Sequence, residues 1–203
     1  MQKIFILAAF ITNAAFSYAQ SNSYGFHLSY PFTVGENYFA EGSAFSFFDQ
    51  GYKGFLKAGL TYNRFTKNGL TYGICTDIGL YRNNSLNRNA FITNALLLEG
   101  YKFKLQDDLE IFVFLAIGYS YRFYSYFLSP AYTYVPLPKS NSFIGRGGLE
   151  MLMKTSEKTT LSFCLNYDYI WLEYSMMYSD DVYFRSSQIF SSGIVFRFYT
   201  GGK

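Results

Sequence analysis

The chain has 203 residues, half of them hydrophobic and 22% aromatic, while only 15% are charged and the formal net charge is +3. Abundant aromatics exclude a disordered tail, the small net charge excludes a nucleic-acid-binding surface, and two cysteines exclude a disulfide-built scaffold. The length fits one domain of ordinary size, and a mean hydropathy of +0.02 is low for a bundle of membrane helices yet high for a protein bathed in water.

Residues 1–19 are expected to be an export signal. Met1-Gln2-Lys3 gives a basic start, Ile4 to Ala15 is apolar apart from Thr12 and Asn13, and Ser17-Tyr18-Ala19 sets small residues two apart before a cleavage site. Cleavage after Ala19 leaves residues 20–203 as the exported domain. The apolar run falls short of the ~20 residues that a membrane helix needs, and no cysteine follows it to accept a lipid.

From there the chain alternates between apolar and polar residues with period two, the signature of strands whose side chains point to opposite faces. In Gly25 to Phe32, Phe26, Leu28, Tyr30 and Phe32 oppose His27 and Ser29; Tyr38 to Phe48 is a rival for this first strand. Lys53 to Phe65 follows with a weaker pattern. In Leu70 to Arg82 the apolar set Leu70, Tyr72, Ile74, Ile78 and Leu80 opposes Thr71, Gly73, Cys75, Asp77 and Gly79. Ala90 to Leu105 changes phase, since Ile92, Leu96 and Leu98 fit one parity while Tyr101, Phe103 and Leu105 fit the other, which predicts a bulge near Glu99 and Gly100. In Ile111 to Phe123, Val113, Leu115, Ile117 and Tyr119 oppose Ala116, Gly118, Ser120 and Arg122, although Phe112 and Phe114 blur the second face. Phe143 to Lys154, Leu161 to Trp171 and Ile189 to Tyr199 complete a set of eight.

Tight connections at Thr66 to Gly69, Gln106 to Leu109 and Thr155 to Lys158 alternate with longer ones at Thr33 to Tyr52, Asn83 to Asn89, Tyr126 to Ser142 and Ser175 to Ser187. Short turns on one side and long loops on the other, an even number of strands, and aromatics gathered near strand ends fit an all-β, eight-stranded antiparallel transmembrane barrel of up-and-down order. Hydrocarbon offers no partner to a free N–H or C=O, so strands cross a bilayer only in a sheet without edges. The apolar parity then faces lipid and the polar parity faces inward. A soluble exported sandwich would reverse the two faces.

The segment Ser191-Ser-Gly193-Ile-Val-Phe196-Arg-Phe198 resembles the C-terminal assembly signal of outer-membrane barrels: a polar residue, a glycine two later, then aromatics two apart. In plan the whole exported chain is similar to the small eight-stranded barrels of the OmpA/OmpX type. The resemblance implies an outer membrane in the cell envelope of a Gram-negative bacterium. It also implies recognition of Gly193, Phe196 and Phe198 by the barrel-insertion machinery.

An eight-stranded barrel is only wide enough for side chains to fill it. The inward parity carries Lys57, Asp77, Arg122, Arg146, Glu150, Asp168 and Arg197, with Lys102, Lys104 and Lys154 on the same parity and Glu99 beyond the expected bulge. Opposite charges in a narrow, dry space must pair, because an unpaired one costs several kcal/mol. A polar plug and a narrow ion path are the two readings of this set. His27 and Ser29, two apart on one face, are the candidates for catalysis. Lipid A deacylases on small barrels use a His and Ser at such spacing, the base activating the nucleophile, but continue with Asn where this chain has Tyr30.

Cys75 and Cys164 are expected on opposite walls, beyond the ~7 Å reach of a disulfide. No metal-ligand spacing and no phosphate-cradling glycine pattern is present, so no cofactor or metal is expected. In the long loops, Tyr126 to Pro138 is rich in aromatics and proline, and Met176, Met177, Asp180 and Asp181 stand in the last. The expected partners are outer-membrane lipid and lipopolysaccharide, with no nucleic acid, and the barrel is expected to be a monomer in a structural or surface-interaction role.

Overall fold

A strand with one long apolar face has two unpaired edges to satisfy as well, and a sheet closed on itself meets both demands. The computed structural model describes residues 19–34, 52–83, 88–125, 140–175 and 182–200. These form β1 (Ala19–Thr33), β2 (Tyr52–Thr66), β3 (Leu70–Asn83), β4 (Arg88–Gln106), β5 (Leu109–Ser125), β6 (Ser140–Lys154), β7 (Thr159–Ser175) and β8 (Val182–Thr200). Strands adjacent in sequence pair antiparallel, and β1 closes the barrel against β8 from Asn22↔Thr200 to Thr33↔Ile189. The first strand is therefore the one around Gly25 to Phe32. Its rival Tyr38 to Phe48, residues 1–18 of the expected export segment and the loop residues singled out above lie outside the described residues, while Ala19, the last residue of that segment, is the first of β1.

The apolar parity points outward. Leu60, Leu97, Leu115, Ile117 and Phe143 are each more than 60% exposed, and Val113, Phe163 and Ile194 also face out. Leaving such a side chain in water instead of hydrocarbon costs about 1.5–3 kcal/mol, so a wall of them suits only an apolar medium. Among the described residues no helix is long and apolar enough to cross a membrane; the strands do it.

Two expectations fail in β4. No bulge interrupts it at Glu99 and Gly100, because pairing with β3 runs unbroken from Arg88 to Tyr101 and pairing with β5 from Asn89 to Lys104. The strand keeps one parity throughout. Ile92, Leu96 and Leu98 are buried inside the barrel while Leu97, Tyr101 and Phe103 face out, so both faces are apolar for different reasons. Phe112 and Phe114 of β5, the two residues that blur the polar parity, turn inward beside them, and the lumen is lined by hydrocarbon on this side, where the expected phase change puts Ile92, Leu96 and Leu98 on the outer face. With no bulge to reverse the phase, Glu99 faces out. It pairs in register with Tyr72, whose other neighbour is Arg64 of β2, and the Arg64 Nε donates to Asn22 Oδ1 of β1 at 3.0 Å. Lys104 and Lys154 keep the inward parity but lie exposed where their strands end at the short turns.

The β2–β3 connection closes on glycine. The Gly69 amide donates to the Thr66 carbonyl at 3.1 Å, and the Gly69 carbonyl accepts from the Lys102 amide of β4 at 2.8 Å. Its φ of 85° lies in the left-handed region that L side chains avoid. A Cβ here would also press on the Lys102 carbonyl. Gly69→Ala is expected to lower the unfolding free energy by about 1–2 kcal/mol, measured by urea titration of the refolded barrel.

Candidate functional site

The lumen is where this chain gathers its titratable groups. Register makes Arg146 of β6 and Asp168 of β7 direct cross-strand neighbours. Arg146 Nε donates to Asp168 Oδ1 at 2.5 Å and its Nη2 to Oδ2 at 3.0 Å, a two-pronged pair of the kind that fixes both orientation and charge. From the facing wall, Lys57 of β2 reaches Asp168 Oδ2 at 2.6 Å, and Asp77 of β3 receives Arg146 Nη1 at 2.7 Å. Asn94 of β4 fills the other oxygen of Asp77 at 2.6 Å. Two cations and two anions thus meet across the barrel's diameter, each with a side chain no more than 2% exposed.

A second pair lies nearer the short turns. Arg197 of β8 binds Glu150 of β6 through Nη2 and Nε at 2.6 and 3.1 Å, and its Nη1 donates to Thr61 of β2 at 3.0 Å. Below it the floor is aromatic. Phe65 sits 6.1 Å from Phe112 and 5.8 Å from Tyr199 by ring centroids, and Lys102 lies 4.7 Å over the Phe65 ring while its amine pairs with Glu110 at 2.9 Å. In the other half of the lumen, Arg122 of β5 donates to Ser187 of β8 at 3.4 Å.

His27 and Ser29 of β1 both face this lumen and are 4% exposed. The imidazole lies over Gly59, its register partner on β2, where the missing side chain makes room for it. Neither His27 Nε2 nor Ser29 Oγ has a hydrogen-bond partner among the described residues. The base therefore does not accept the hydroxyl proton, and the pair looks away from lipid. Cys75 and Cys164 are free and buried on β3 and β7, and Cys75 Sγ receives Arg146 Nη1 at 3.4 Å. No cluster of metal-ligating side chains occurs among the described residues.

All seven residues of the expected charge set, Lys57, Asp77, Arg122, Arg146, Glu150, Asp168 and Arg197, are buried. Of these, Arg122 stands outside the two ionic groups just described. Gly193, Phe196 and Phe198 lie on β8. Both phenylalanines face out, with their rings 4.8 Å apart, and Gly193 sits against the Leu28 carbonyl, where a Cβ would collide with the β1 backbone at the closing seam. Sequence reasoning missed Thr61, Asn94 and the aromatic floor. Thr61 and Asn94 stand on the inward parity of their strands, and the phase change read into β4 hid Asn94.

No protein-family model matches the sequence, and no curated protein matches it. Among solved structures the chain is similar to the outer membrane protein OprG from Pseudomonas aeruginosa, at 11% identity and a TM-score of 0.53 over 91% of this chain and 98% of that one. It is similar to the outer membrane protein AlkL, determined in lipid bilayers, at 9% identity and a TM-score of 0.53 over 91% and 92%. Neisserial surface protein A matches at 12% identity and a TM-score of 0.50 over 88% and 94%. At such identities the likeness is one of fold. The chain has the fold of the small outer-membrane barrels, closed, eight-stranded and membrane-spanning.

Proposed function

We propose that this protein is a monomeric barrel of the outer membrane whose lumen is plugged, and which serves the cell envelope through its wall and surface rather than as a pore or an enzyme. The observation that carries the reading is the neutral group of Lys57, Asp77, Arg146 and Asp168, joined across the full width of the lumen. An ion crossing this layer has to separate charge-assisted pairs in a medium of low dielectric, where each separated charge costs several kcal/mol. The Arg197–Glu150 pair and the aromatic floor add two further layers toward the short turns. An acyl hydrolase built on His27 and Ser29 has no such support, since both are enclosed by the barrel. The export segment 1–19 and the β8 residues Gly193, Phe196 and Phe198 fit delivery to the barrel-insertion machinery, and outer-membrane lipid with lipopolysaccharide is the surrounding partner. Reconstituted into planar bilayers, the purified protein is expected to give no lasting open level; a stable ohmic conductance of porin size would overturn the plug.

A further inference from the structure

We infer that the outer wall of β4 to β7 holds a groove for one acyl chain of an outer-leaflet lipid. Along β5 the outward residues change from Val113, Leu115 and Ile117 to Tyr119 and Tyr121, and along β7 from Leu161, Phe163 and Leu165 to Tyr167, Tyr169 and Trp171. The change runs toward the ends that carry the long connections. Tyrosine and tryptophan, whose rings carry a polar group, replacing wholly apolar side chains mark the depth where hydrocarbon gives way to headgroups, and long connections lie outside the cell.

At that depth the wall is indented. A groove of about 500 Å³ is lined on the outward side by Ala95, Leu97, Ile117, Tyr119, Phe143 and Trp171, within the ~300–1,000 Å³ common for small-molecule sites. Its shape follows from small residues beside large ones. Ala95 leaves a gap next to Tyr119, its register partner on β5. Gly145 of β6 has no side chain, so the Trp171 indole lies along the sheet, with Cη2 only 3.1 Å from where a Cβ at Gly145 would stand. Tyr119 packs on Phe143 at 4.9 Å and Tyr169 on Trp171 at 4.8 Å, which holds the rim in place.

None of the lining residues is charged, so the occupant is apolar. The groove opens on, and is continuous with, a wall that already faces hydrocarbon, so the occupant comes from the bilayer. A straight acyl chain whose headgroup sits at the aromatic rim is the apolar molecule the outer leaflet supplies there. This site is separate from the lumen, and a leaky lumen would leave it standing.

Trp171 is the only tryptophan in the chain, so its fluorescence reports on the groove alone. The full-length exported protein, folded in dodecyl maltoside micelles, is titrated with a chain-brominated stearate, whose bromines quench indole on contact. Quenching is expected to saturate at one stearate per barrel. Ala95→Phe fills the floor and Phe143→Ala removes a wall, and each is expected to weaken binding by about tenfold, the equivalent of about 1.4 kcal/mol. Leu115→Phe, on the same wall but outside the lining, is expected to leave it unchanged. Heat-modifiable gel migration verifies folding of each variant, and Phe143→Ala decides the matter if Ala95→Phe does not fold. Quenching that rises with micelle loading without saturating, or that is equal in the wild type and the groove variants, would overturn the site.

Discussion

Replacing Arg146 by methionine is expected to remove about 3–5 kcal/mol of unfolding free energy, read from urea titration of the barrel folded into lipid vesicles. Among the described residues Arg146 is the one cation that bridges Asp77 and Asp168 through short bonds. Without it two carboxylates in a dry space share Lys57, which reaches Asp168 at 2.6 Å but Asp77 only at 3.9 Å. The cost is the desolvation of an anion that has lost its partner, and a variant that restores neutrality should remove that cost. Adding Asp77→Asn to Arg146→Met leaves the Lys57–Asp168 pair intact and keeps a polar group for Asn94 to bind, so most of the lost stability is expected to return. If the single variant lost only the ~0–1 kcal/mol typical of an exposed ion pair, the cluster would be a hydrated one, and the argument for a plug would go with it.

The strands were legible because the wall and the lumen make opposite demands on alternate residues. Leu70 to Arg82 and Leu161 to Trp171 show this most plainly, and both lie within a few residues of β3 and β7 as built. Strand ends were harder. β1 begins at Ala19 and β8 at Val182, well outside the alternating cores that start at Gly25 and Ile189, because polar runs such as Ser21-Asn22-Ser23 and Arg185-Ser186-Ser187 carry no apolar parity to read.

β4 misled for a different reason. Reading phase from apolar identity assumes that only one face is apolar, and here Leu96 and Leu98 meet Phe112 and Phe114 inside while Leu97 meets the outside. Glu99 was misplaced as a consequence. For the charged groups, parity says which side chains enter the lumen but not which of them touch. Arg146 and Asp168 meet through register between neighbouring strands, whereas Lys57 reaches Asp168 across the width of the barrel, a closure that no local pattern encodes. The groove beside Trp171 was invisible because it depends on Ala95, Tyr119, Phe143 and Trp171 on four consecutive strands lying side by side.

Arginine placed at Leu115 is expected to cost about 2–4 kcal/mol of unfolding free energy in a bilayer, whereas arginine at Leu105 costs about 0–1 kcal/mol. Both positions face out, with Leu115 71% and Leu105 55% exposed. Burial within the protein therefore cannot account for a difference between them. What separates them is depth. Leu115 lies in the middle of β5, between Val113 and Ile117, while Leu105 stands one residue from the end of β4 beside the Asp107 turn. There Lys104 already pairs with Asp107 in the open at 2.7 Å, which raises the Lys104 pKa and lowers that of Asp107. A guanidinium at the rim joins that solvated set, whereas one at Leu115 has to drag water into the hydrocarbon or stretch toward a headgroup. Urea titration of the two variants in the same lipid vesicles measures the difference directly. Were the outer wall a solvated surface, Leu115→Arg would be neutral or stabilising, and equal costs at the two positions would contradict a bilayer-facing wall as firmly as any change in the lumen.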